Sequence, residues 1–167
     1  MDVVERFAIV AAEFQQWALH GTDEGELGAR QALLLLTKLY LTGLELAPAW
    51  RDALDGETGD KVGIDINVGD DEWRAVMDAV GRMPLAYYSD VFDLLTFPPQ
   101  EPGTRTLGDD IADIYRDAVR GLRQYLAGRR SEAIWYWRFH LWLHWGEHAT
   151  SAIRALHCWL TANVPEL

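Results

Sequence analysis

The chain has 167 residues, 49% hydrophobic and 25% charged, enough for one substantial core and far from the charge-rich, apolar-poor composition of disordered chains. With 26 acidic side chains against 15 basic ones, the formal charge of -11 repels phosphate backbones and anionic bilayer surfaces, so neither nucleic acid nor membrane is an expected partner. Cys158 is the only cysteine and rules out an intramolecular disulfide. The apolar run Phe7 to Ala12 is too short for a signal peptide, and the greasiest stretches, 32–46 and 133–145, are broken by polar residues. The expectation is a cytoplasmic protein with a single helical domain over 1–167.

Val3, Phe7, Val10, Phe14 and Trp17 recur at helical spacing behind Asp2, which can cap a helix over 2–20. The segment 27–46 carries leucines on almost every face and reads as a helix buried on most sides. Pro48 is expected to stop it, leaving 47–69 rich in loop. Asp70 or Asp71 then caps a short helix bearing Trp73, Val76, Met77 and Val80, which ends at Gly81. Pro84 can open another helix lined by Tyr87, Tyr88, Val91, Phe92 and Leu95, followed by a proline-rich linker over 97–106.

From Leu107 to Ala127 the residues Ile111, Ile114, Tyr115, Ala118, Leu122 and Tyr125 form one apolar stripe, with arginines opposite. Gly128 to Arg130 reads as a turn, and Ser131 as the cap of a last helix running to about Leu160, roughly 45 Å if continuous. No strand alternation stands out, so the fold class is all-α: a helical bundle of about five or six helices around a long, central C-terminal helix. Small residues at matching depth place Gly121 against Ala133 in the last hairpin, at spacings similar to one tetratricopeptide helix pair.

The segments "YYSDVFD", "DDIADIYRD", "WRF", "HWGEHA" and "AIRALH" resemble a bacterial family known as domain of unknown function 5063, over roughly residues 87–157. The resemblance implies an all-helical protein and carries over no activity, cofactor, partner or functional residue.

His140, His144 and His148 step along one helix face at intervals of four. With the turn centred near Arg129, antiparallel pairing sets Asp117 level with the gap between His140 and His144, and Asp110 level with His148. Carboxylates facing imidazoles inside a bundle can build a divalent-metal site. The plainer expectation is that the histidines pair with the aspartates, orient the hairpin and hold no tightly bound metal. The run His144-Trp145-Gly146-Glu147-His148 matches the inverted zinc-protease pattern, but no later helix remains to supply a third ligand. Glu147 and Arg154 are candidates for a buried ion pair bracing the last helix. The acidic segment from Asp65 lacks the glycine and closing glutamate of an EF-hand.

No phosphate loop, nucleophile elbow or other complete catalytic set is present. The leading expectation is therefore a non-enzymatic module that binds another protein, with a basic partner suited to the acidic surface, and with no cofactor. The alternatives are a metal-dependent protein using His140, His144, His148, Asp110 and Asp117, and a binder of small apolar ligands using the tryptophans.

Overall fold

The computed structural model describes residues 1–20, 23–54 and 65–164. The fold is all-α, 73% helical, and among the described residues there is one small two-stranded ribbon. Helix α1 (Val3–His20) starts where Asp2 Oδ1 accepts the free backbone N–H groups of Val4 and Glu5 at 2.8 and 2.9 Å, the work of an N-cap. Its apolar stripe, including Phe7, Phe14 and Trp17, is buried.

Helix α2 (Gly25–Glu45) is less enclosed than its leucine content suggests. Ala32, Leu36 and Leu39 are buried on the stripe toward α1 and the last helix, whereas Leu34 and Leu41 face outward. Pro48 does not end the helical course. It lies in the first turn of α3 (Ala47–Leu54), where its missing N–H would have had no partner anyway. The rest of the expected loop up to residue 64 lies outside the described residues, and 65–69 is irregular. Helix α4 (Asp70–Val80) follows, capped at Gly69 rather than by an aspartate side chain.

The expected helix around Tyr87 to Leu95 does not form. Tyr87–Asp90 is strand β1, paired antiparallel with β2 (Gly103–Thr106), which occupies the end of the expected linker. Tyr87-Tyr88-Ser89 and Thr104-Arg105-Thr106 are β-favouring stretches bounded by proline and glycine, too short to display a period. Thr106 ends the ribbon and caps α5 (Leu107–Leu126), its Oγ1 accepting from the Asp109 N–H at 3.2 Å.

Gly128, at φ +77°, closes α5 and sends the chain back. Helix α6 (Arg130–His140) begins one residue before Ser131, which makes no capping bond. A π-helical turn (Leu141–Trp145) joins it without a break to α7 (Gly146–Asn163), making one 34-residue rod. This rod packs on α5 along one side and α2 along the other. Trp137 and Trp145 are fully buried in it. The Trp137 indole donates to the Ala118 carbonyl at 2.9 Å and lies on Gly121, so the close approach expected of Ala133 is made by the residue one turn later. Among the described residues no helix is long and apolar enough to cross a membrane.

Candidate metal centre

Asp110, Asp113 and Asp117 recur at steps of three and four on α5 and therefore share one face. Opposite them stand His140, His144 and His148. In a straight α-helix eight residues turn about 80° beyond two full turns, which would carry His148 away from the face that His140 occupies. The wider π turn lies between them and takes up that drift. Gly146 is the residue that lets it close: a Cβ there would come within 2.2 Å of the Leu141 carbonyl oxygen.

Both outer carboxylates are buried, with side chains only 2% and 4% exposed for Asp110 and Asp117. Asp117 Oδ2 lies 2.8 Å from His144 Nδ1, and its Oδ1 lies 3.3 Å from both His140 Nδ1 and the Tyr136 hydroxyl, which donates to it. Burial pushes the Asp117 carboxyl up, but the hydrogen bonds from His140 and His144 more than offset this and hold it at about 2. The same bond raises the His144 imidazole above its ordinary value, against the opposing effect of partial burial.

Asp110 Oδ1 accepts from His148 Nδ1 at 2.7 Å and from Arg105 Nη1 at 3.1 Å, while its Oδ2 accepts from the Tyr88 hydroxyl. Burial and then this bond push the Tyr88 phenol far above its ordinary value. Each buried aspartate thus engages the Nδ1 side of an imidazole. Among the described residues the second nitrogen, Nε2, makes no hydrogen bond on His144 or His148.

Between the two pairs lies Asp113. Its Oδ1 accepts from Trp73 Nε1 of α4 at 2.9 Å and from Arg116 Nη1 at 3.3 Å, and its Oδ2 faces His148 Nε2 at 3.8 Å. Ligand-capable atoms of Asp113, His144 and His148 all fall within 4.8 Å of one another, as do those of Asp117, His140 and His144. Asp113 was not among the aspartates singled out by helix register, although it lies on the same face, three residues from Asp110.

The ribbon supplies the outer support. Arg105, 9% exposed, reaches Asp110, Asp90 at 3.4 Å and Glu147, and Ser151 Oγ donates to Asp90 at 2.6 Å. Glu147 is therefore held by Arg105 and not by Arg154. Arg154 is exposed and borders a cavity beside β1, with no carboxylate in ion-pair reach among the described residues. The Glu147–Arg154 brace expected from spacing does not form. The Glu147 carboxylate, which the inverted protease pattern would use to activate water, is engaged by Arg105 instead.

No curated protein matches the chain. Among solved structures it is similar to protein BF1032 from Bacteroides fragilis, at 18% identity and a TM-score of 0.66 over 93% of this chain and 90% of that one; this likeness extends to the fold. The family signal is broader than the C-terminal segments that carry the resemblance in the sequence, and takes in the N-terminal helices as well. The chain belongs to the family described as a domain of unknown function (DUF5063), which matches residues 1–162.

Proposed function

We propose that this protein binds one divalent first-row transition metal ion through His144 Nε2, His148 Nε2 and Asp113 Oδ2, leaving coordination positions open for water or a substrate. The observation that carries this reading is the 3.8 Å separation of His148 Nε2 and Asp113 Oδ2. It is too long for a hydrogen bond. Metal–ligand bonds of about 2.0–2.2 Å at a tetrahedral angle set ligand atoms about 3.3–3.6 Å apart, so a small closure suffices.

The alternative set, Asp117 with His140 and His144, has separations of 2.8 and 3.3 Å. Those are hydrogen-bonding distances, and a metal there would have to prise apart the pairing that keeps Asp117 ionised. The rest of the surroundings suits the first set. A carboxylate on Nδ1 fixes each ring in the tautomer whose Nε2 carries the lone pair, and raises its basicity as a ligand. Trp73 and Arg116 hold Asp113 by the oxygen that does not face the histidines. Two imidazoles with one carboxylate suit zinc or iron(II), and the open positions fit activation of a bound water. Simple His–Asp pairing accounts for Asp110 and Asp117, and the hydrogen bonds from Trp73 and Arg116 for one oxygen of Asp113; the approach of its other oxygen to His148 Nε2 is what favours the metal reading.

Isothermal titration of zinc into chelator-stripped protein tests this. One equivalent per chain with release of protons is expected, and no saturable binding would contradict it.

A further inference from the structure

Strand β1 pairs with β2 on one edge, and its other edge is open. The bond from the Leu107 N–H to the Ala86 carbonyl at 3.1 Å fixes the phase of the ladder. Bonded and non-bonded pairs alternate along an antiparallel ribbon, so Tyr88 with Arg105 and Asp90 with Gly103 are the pairs that exchange hydrogen bonds. Tyr87 and Ser89 therefore turn their backbone N–H and C=O groups the other way, toward the open edge. Both residues are exposed, and the main chain of neither finds a partner there among the described residues.

A cavity of about 380 Å³ lies between this strand and α7. Ser89 and Asp90 border it from the ribbon, and Ala155, Trp159 and Ala162 give it a largely apolar wall on α7. Asp90 is already engaged by Arg105 and by the Ser151 hydroxyl. The other charged group on the cavity is Arg154, whose guanidinium has no carboxylate in reach among the described residues. A strand laid along the edge, about 4.8 Å from β1, would turn every second side chain toward α7. Its main chain meets the groups that Tyr87 and Ser89 present, its inward side chains meet the apolar wall, and one carboxylate meets Arg154. A single carboxylate fits better than an acidic run, because the protein carries a net charge of -11.

We propose that the groove between β1 and α7 binds an extended peptide segment of another protein, which joins the Tyr87–Ser89 edge as a third strand and sets one carboxylate on Arg154. This site is separate from the metal centre and does not depend on a bound ion.

A phage-displayed library of random peptides, selected on the full chain, supplies the probe. The strongest binder is synthesised unmodified, with alternate amides N-methylated in either of the two registers, and with its carboxylate replaced by a carboxamide. Methylation in one register is expected to abolish binding and in the other to be tolerated, because only every second amide faces β1. Ser89→Pro removes an edge N–H without touching a bond between β1 and β2, so helix content by circular dichroism is expected to match the wild type. Ser89→Pro and Arg154→Gln are each expected to bind the unmodified peptide at least about tenfold more weakly, and Arg154→Gln to bind the carboxamide form as the wild type does. By NMR, the Ser89 amide is expected to exchange fast in the free protein and slowly in the complex. The proposal is overturned if no peptide is enriched, if both methylated registers bind alike, or if Arg154→Gln binds the unmodified peptide as tightly as the wild type. A Ser89 amide already protected before peptide is added would also overturn it, since the edge would then be covered by this chain or a second copy.

Discussion

Gly121 of α5 lies directly under the indole of Trp137: a Cβ at Gly121 would come within 2.1 Å of Nε1. That contact sets the depth at which the last helix meets α5, and with it the level at which the histidines face the aspartates. Gly121→Ala is expected to force the indole off the Ala118 carbonyl and destabilise the protein by about 1–3 kcal/mol, with Gly121→Leu at least as severe. Urea unfolding midpoints measure it; an unchanged midpoint would mean the indole has room to move.

In metal-free protein the Asp117–His144 pair makes stability depend on pH at both ends. Asp117 is lowered from 3.8 to about 2, so its contribution is present above 3.8 and is lost as pH falls toward 2. His144 is raised above 6.5, so its contribution is full below 6.5 and is lost as pH climbs through the folded value. The pair is thus at full strength between roughly pH 4 and 6.5. Asp117→Asn is expected to flatten the acid limb of the stability curve by about 2 kcal/mol and to return the His144 titration, followed by NMR, toward its ordinary value.

Arg105 neutralises a cluster that would otherwise hold two enclosed carboxylates, Asp90 and Asp110, without a cation. Arg105→Met is expected to destabilise by about 3–5 kcal/mol, since it strands those charges. Arg105→Lys recovers only part, because one ammonium cannot reach Asp90, Asp110 and Glu147 with the geometry of a guanidinium fork. Thermal or urea unfolding of the two variants side by side gives the order.

The parts of this arrangement that obey a period were readable in the sequence. The stripe on α5, the turn at Gly128 and the facing of Asp117 to His140 and His144 all follow from repeats of three and four. What escaped depends on contacts without a period. Strands of four residues show no alternation, so the sequence pattern places Tyr88 in a helix and Arg105 in a linker although both reach Asp110. The π turn has no sequence signature beyond a glycine at its end. Arg154 sits at an apolar-looking spacing, but it is exposed beside β1, a strand that shows no period. Helix register pairs Asp110 and Asp117 with the histidines but does not single out Asp113, whose position depends on a third direction of approach, from Trp73 on α4.

Gly146→Ala separates geometry from composition at the metal centre. The added methyl cannot fit against the Leu141 carbonyl, so the π turn must shift and the His148 face must rotate relative to His144. Zinc affinity is expected to fall by at least about tenfold while all proposed ligands remain, with helix content little changed. Calorimetry on the stripped variant reads this, and wild-type affinity would show that the turn does not position the centre.

The most direct test of the central claim is which side chains the ion needs. Zinc is loaded onto stripped protein, excess is removed by gel filtration, and metal per chain is counted by mass spectrometry in the wild type and in Asp113→Ala, His148→Ala and His140→Ala. Near-stoichiometric zinc is predicted in the wild type and in His140→Ala, with loss in Asp113→Ala and His148→Ala. No retained zinc in the wild type, or loss in His140→Ala with retention in Asp113→Ala, would contradict the assignment of Asp113, His144 and His148 as the ligands.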